Sequence, residues 1–171
     1  MSQPSGNVGA EVQAGVMCWL CEHPTATPQD YLAVLRDKAR KHGWAVQYVE
    51  DESHPFAYTV GLNDWNLPEL LVTGVPPSAS TWLLRSVARR ALRGLRVVAG
   101  ARLAVEEGPL IEFVDVDHPD VHLCWAVNHA EGPIRALQVV WADRHGHWPW
   151  SDRFCDGHGC QPVFGKRAQT S

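Results

Sequence analysis

The apolar positions along the chain change period several times, and each change marks a predicted element. Tyr31, Leu32, Leu35 and Ala39 recur at the three-to-four-residue spacing of one helix face. Ahead of them Thr27, Pro28 and Asp30 supply an N-cap, a first-turn proline and an acid beside the helix dipole, and Gly43 closes the run. Residues 44–49 alternate as a half-buried strand does, and Glu50 to His54 is a polar turn. Further strands are predicted over 56–62 and 70–73, joined across 63–68. Pro76-Pro77-Ser78 opens a second helix to about Arg93, with Leu84, Val87, Ala88, Ala91 and Leu95 as its apolar face. Leu110 to Val116 reads as a strong strand that His118-Pro119-Asp120 interrupts; residues 121–129, ambiguous in period, are assigned as helix. A buried strand over 137–141 and a turn over 143–147 follow, and the Gly- and Pro-rich remainder is loop that wraps back over the domain.

Strict strand–helix alternation is missing from this order, so the expected class is α+β. The expectation is a single domain over residues 17–165, with an antiparallel or mixed sheet and two principal helices packed on it. Residues 1–16 are small and polar and are predicted to form a disordered tail, and 166–171 a C-terminal tail. Met17, directly before Cys18, is a second candidate translation start.

Composition narrows the function classes. A chain of 171 residues with 45% hydrophobic and 20% charged positions can bury one sizeable core. The net charge of -4 argues against nucleic acid as the main partner and leaves a protein or a small molecule. No apolar run reaches membrane-spanning length and no signal-peptide pattern opens the chain, so the expected location is cytoplasmic. In that compartment a Cys-x-x-Cys favours metal or redox use over a structural disulfide.

Two segments carry candidate chemistry. Cys18-Trp19-Leu20-Cys21 near one end is answered by Cys155-Asp156-Gly157-His158-Gly159-Cys160 near the other. Cys18, Cys21, Cys155 and either His158 or Cys160 have the ligand types and spacing of a closed, structural zinc site. Such a clamp would restrict the unfolded chain as a long-loop crosslink does, worth roughly 4–5 kcal/mol for about 100 residues before metal binding is counted. The same Cys18/Cys21 pair also suits thiol redox chemistry, although Pro24 and Thr27 separate it from the following helix start. The second segment is Asp143-Arg144-His145-Gly146-His147-Trp148-Pro149-Trp150, an acid, a fork donor, two imidazoles and two indoles placed after a strand. It defines a candidate enzyme pocket of Tyr58, Glu69, Asp143, Arg144 and Trp148. The plainer expectation is a turn whose tryptophans cap the core. Arg85, Arg89, Arg93 and Arg96 form a basic helix face that reads as solvated.

Several stretches together resemble a family of bacterial proteins, domain of unknown function 4262. They are Gly43-Trp44-Ala45-Val46, Phe56-Ala57-Tyr58-Thr59-Val60-Gly61-Leu62, Pro68-Glu69-Leu70-Leu71-Val72, Leu137-Gln138-Val139-Val140-Trp141, Asp143-Arg144, Trp148-Pro149-Trp150 and Gln161-Pro162-Val163. The resemblance carries no activity with it. It implies that Met17 starts the folded unit, because similar members begin with Met-Cys-Trp-x-Cys. It also implies that any ion belongs to a subgroup, because other members lack these cysteines. The sequence therefore supports a binding or interaction module with its termini clamped by zinc, against an enzyme or a thiol-redox protein.

Overall fold

A computed structural model describes residues 22–169. Helix α1 (Pro28–His42) begins where its cap predicts: Thr27 Oγ1 accepts from the Asp30 N–H and the Asp30 carboxylate accepts from the Thr27 N–H. Gly43 ends it in the left-handed conformation, φ 86°. Strands β1 (Ala45–Val49), β2 (Phe56–Val60) and β3 (Glu69–Thr73) form an antiparallel meander, with a 3₁₀ turn at Leu62–Trp65 between the last two. Helix α2 (Pro77–Leu92) then leads to β4 (Arg102–Ala104) and β5 (Leu110–Val116). Two short helices, α3 (Pro119–His122) and α4 (Cys124–Ala130), precede β6 (Ala136–Trp141), and β7 (Gly165–Lys166) closes the order.

The sheet runs β1-β2-β3-β6-β5-β4, with β7 beside β4 on the outer edge of β5. Neighbours are antiparallel except β3 and β6, which run parallel with Glu69 opposite Ala136. The architecture is α+β, one domain on one mixed sheet.

Strand alternation sends Ala57, Leu70, Val72, Ile111, Phe113, Leu137 and Val139 to one face, under Leu83, Leu84, Val87, Ala88 and Ala91 of α2. Each Val, Leu, Ile or Phe side chain among them is worth about 1.5–3 kcal/mol when fully buried. The opposite face places Tyr58, Val60, Leu71, Val116 and Ala136 against Leu123 and Ala126. Helix α1 covers this face at β1 and α4, and the chain after β6 covers it at Gln138, which is where the looped remainder predicted from sequence goes.

Buried amides fasten this arm. Gln138 Nε2 donates to Thr73 Oγ1 at 3.0 Å and to the Pro162 carbonyl at 2.7 Å, and its Oε1 accepts from the Phe164 N–H at 2.7 Å. Gln161 exchanges two bonds with the Trp141 backbone, 2.9 and 2.8 Å, as a strand residue would. Two strands carry little sequence signal. β4 alternates exposed Arg102 and Ala104 around half-buried Leu103, and β7 is two residues long. Lys166 lies in β7 and Arg167 ion-pairs with Glu112, so ordered structure runs past residue 165 into the segment expected as tail. Residues 119–130 divide into two helices at Leu123, φ -107° and ψ 49°. Among the described residues no helix is long and apolar enough to cross a membrane.

Candidate functional site

Cys18 and Cys21, one half of the expected zinc clamp, lie outside the described residues. Cys155, His158 and Cys160 share one loop that begins at the 3₁₀ turn Phe154–Gly157. Cys155 and Cys160 are joined as a disulfide. In that form neither offers a thiolate, and of the ligands expected in this loop only His158 keeps a free donor atom. Among the described residues no group of three or more His, Cys, Asp or Glu is arranged to hold a metal ion. The loop backbone is unusual: Cys155, Asp156 and Gly157 all take left-handed conformations, φ 47°, 54° and 83°.

The five residues expected to line one pocket occupy three separate places. Tyr58 is fully buried on β2, where its hydroxyl accepts from the Trp125 N–H at 3.3 Å and lies 3.9 Å from Cys124 Sγ. Burial first, and the neighbouring Cys124 next, push its phenol well above the ordinary range. Glu69, also fully buried, begins β3. Its Oε1 accepts from the Gly61 and Asn63 N–H groups, 2.9 and 3.1 Å, and its Oε2 from the Thr59 hydroxyl at 2.5 Å. Glu69 thus caps the 3₁₀ turn, satisfying N–H groups that begin it. Burial raises its carboxyl above the ordinary value, opposed by those same hydrogen bonds. Asp143 and Arg144 sit at the other end of the parallel pair, past Trp141, a strand length of roughly 20 Å from Glu69.

Trp148 belongs to a third cluster. It stacks on Trp150 with ring centroids 5.3 Å apart, and the Arg102 guanidinium lies 4.9 Å over it. Arg167 lies 3.9 Å over Trp150, and both arginines bond the Glu112 carboxylate. Burial would raise the Glu112 carboxyl, but Arg167 and Arg102 hold it below the ordinary value. This ladder joins β4, β5, the Trp148–Trp150 segment and the chain end. Sequence reasoning passed over Glu112, and also Gln138. Each is a lone polar residue between buried apolar neighbours in a strand, and that pattern was the available signal.

Asp143 and Arg144 do share a cleft. It lies beyond the carboxyl end of β6, has a volume of about 510 Å³, and is lined by Trp141, Asp143, Arg144, His145, Cys155 and Asp156 among others. A second cleft of about 340 Å³ lies by Gly74, past the carboxyl end of β3, and takes in His54, His158 and Cys160. The 155–160 loop is the wall between them. Asp143 builds the first cleft. Its Oδ1 accepts from the His145 and His147 N–H groups at 2.8 and 2.9 Å, and its Oδ2 from the Cys155 N–H at 3.1 Å. Against the cost of burial, these bonds from His147, Cys155 and His145 lower its carboxyl to about 2. Arg144, by contrast, is exposed, with Nε 3.1 Å from His145 Nε2. Among the described residues no carboxylate lies within 4.0 Å of its guanidinium nitrogens.

The sequence was compared with known proteins. No curated protein and no solved structure matches it. The sequence model of one family, described as Domain of unknown function (DUF4262), matches residues 38–155. The match takes in Tyr58, Glu69, Gln138 and the Asp143–Arg144 loop, and it leaves out Cys18, Cys21, His158 and Cys160. On that match, which covers well over half of its length, the chain belongs to the DUF4262 family.

Proposed function

We propose that the chain is a binding module that holds an anionic group of a small molecule in the cleft beside Asp143 and Arg144. The observation that carries this reading is the division of labour between the two residues. Asp143 spends its oxygens on three backbone N–H groups and fixes the loop, which leaves Arg144 as an exposed fork donor at the rim. A guanidinium so placed suits a carboxylate or phosphate, which it meets with two parallel bonds. Catalysis is less well supported. A general base works best with a pKa near the working pH, and Asp143 is held at about 2. Tyr58 and Glu69 are buried too far from the cleft to complete an active site there. The net charge of -4 favours such a ligand over nucleic acid, and the reading places the protein in the cytoplasm.

The test is a thermal-shift screen of the full chain against small carboxylates and phosphates, repeated on Arg144→Ala. At least one compound is expected to raise the melting temperature, with affinity lost by about tenfold or more in the variant. A panel without a single shift, or shifts that the variant keeps, would remove the reading. For the reduced chain we also propose the structural zinc clamp of Cys18, Cys21 and Cys155 with His158 or Cys160. What supports it is the meeting of Cys155 and Cys160 in one loop with His158 between them. Metal analysis under reducing conditions is expected to find one zinc per chain, and less than stoichiometric zinc sinks the clamp.

A further inference from the structure

We infer that Cys155 and Cys160 form an exchangeable disulfide that sets the shape of the cleft beside Asp143 and Arg144, a regulation that rests on the binding reading above. Three observations converge on this loop. The first is position. Cys155 and Asp156 line the first cleft while His158 and Cys160 line the second, so the crosslink spans the wall between the two.

The second is backbone conformation. Cys155 and Asp156 hold left-handed φ values of 47° and 54° side by side, a geometry in which a Cβ meets the following carbonyl and which only glycine adopts freely. Two such residues in succession persist only where something holds them. Here the holders are the crosslink, the bond from the Cys155 N–H to Asp143 Oδ2, and the bond from the His158 N–H to the Cys155 carbonyl.

The third is an asymmetry of anchoring. The Cys160 end is fixed to the sheet, with Gln161 exchanging two hydrogen bonds with Trp141 and the Cys160 carbonyl packed against Gly74. Once the crosslink opens, relaxation therefore falls on Cys155 and Asp156, the two residues of the loop that line the first cleft together with Arg144. Their return to right-handed backbone draws the Cys155 N–H off Asp143 and reshapes the cleft wall.

The chemistry is thiol–disulfide exchange with a dithiol. One thiolate of the dithiol attacks the Cys160 sulfur, since Cys160 is the more exposed partner. The S–S bond breaks, Cys155 leaves as a thiolate and takes a proton from solvent. The second thiol of the dithiol then attacks the mixed disulfide and releases Cys160. Two electrons pass to the protein and the dithiol ends as its own disulfide. The reduced sulfurs are those the zinc clamp would use, so the disulfide and the clamp are alternative states of one pair.

The test uses the full chain in buffers of fixed reduced-to-oxidised dithiothreitol ratio, with alkylation and mass mapping of Cys155 and Cys160. Hydrogen exchange at the Cys155 and His147 amides is followed in parallel. The expected result is a reversible change between disulfide and dithiol with the chain folded throughout. On reduction the Cys155 amide is expected to exchange at least about tenfold faster, while β5 and β6 amides do not change. The Cys155→Ser/Cys160→Ser double variant should behave as reduced in every buffer. The inference is overturned by a pair that stays alkylatable in the most oxidising buffer, by zinc that stays on both sulfurs there, or by amides indifferent to reduction. Because the amide readout needs no ligand, failure of the ligand screen and failure of this inference are separate results.

Discussion

At the scale of single residues, two carboxylates that looked alike in sequence do opposite things. Glu69 is fully buried and accepts from Gly61, Asn63 and Thr59, while the Thr59 hydroxyl also accepts from the Leu70 N–H where the β2–β3 ladder ends. Glu69→Ala would strand a buried N–H at Gly61, a half-buried one at Asn63 and the Thr59 hydroxyl, so a loss of about 3–5 kcal/mol is expected in urea unfolding. Glu69→Gln keeps one acceptor and should lose about 1–2 kcal/mol. The pH signs also differ. Burial raises the Glu69 carboxyl above its ordinary value, so the folded chain binds that proton more tightly than the unfolded chain. Its contribution is therefore full below the unfolded value and fades as pH rises through the raised one. Asp143 is lowered from 3.8 to about 2 by its backbone donors, against burial, so its contribution is present above pH 3.8 and is lost as pH falls towards 2. Asp143→Asn should flatten that acid limb in melts recorded from pH 5 to 2, leaving the slope above it unchanged; an unaltered acid limb would show that the three backbone bonds do not depend on the charge.

At the scale of elements, local rules were legible wherever the signal was local. The Thr27 cap, the Gly43 stop and the apolar stripe of α2 depend on neighbours three or four residues apart, and those parts could be read directly. The arm after β6 could not, because its attachment is made by amide side chains from strands far away in sequence. Gln138 sits between Leu137 and Val139 and looks like an interruption, yet it is fully buried and supplies three bonds to Thr73, Pro162 and Phe164. The candidate site divided in the same way. The Asp143–Arg144 turn was readable from its own residues, whereas its separation from Glu69 follows from the parallel register of β3 and β6, which no local pattern encodes. Gln138→Leu keeps the volume and removes the amide. It is expected to cost about 1–3 kcal/mol by leaving the Phe164 N–H without its acceptor, while the Pro162 carbonyl keeps the Thr73 hydroxyl. Protection of the Phe164 amide should fall well before that of β5. Equal loss across the sheet would mean that the arm is not a separate unit of stability.

At the scale of the whole molecule, one sheet has two faces covered by different means. Helix α2 lies on one as a preformed amphipathic element, while the other is shared between α1, α4 and an arm with almost no regular structure of its own. That arm must come close enough for its backbone to replace a helix, and one point of close approach is Gly74, between β3 and α2. A Cβ there would collide with the Cys160 carbonyl, and the residue also takes φ +74°. Gly94 is a natural control, since its φ is +102° and a Cβ there would meet nothing within 4 Å. Both alanine variants pay for left-handed backbone, about 1–2 kcal/mol each. Gly74→Ala alone must in addition push the arm from the sheet. It should therefore melt lower than Gly94→Ala, and it should expose Trp141, whose indole N–H reaches the Thr73 carbonyl one residue before Gly74. Equal melting temperatures and unchanged tryptophan fluorescence in the two variants would show that the arm rests on the sheet without depending on that approach. The cleft would then have to be held by the Asp143 turn alone.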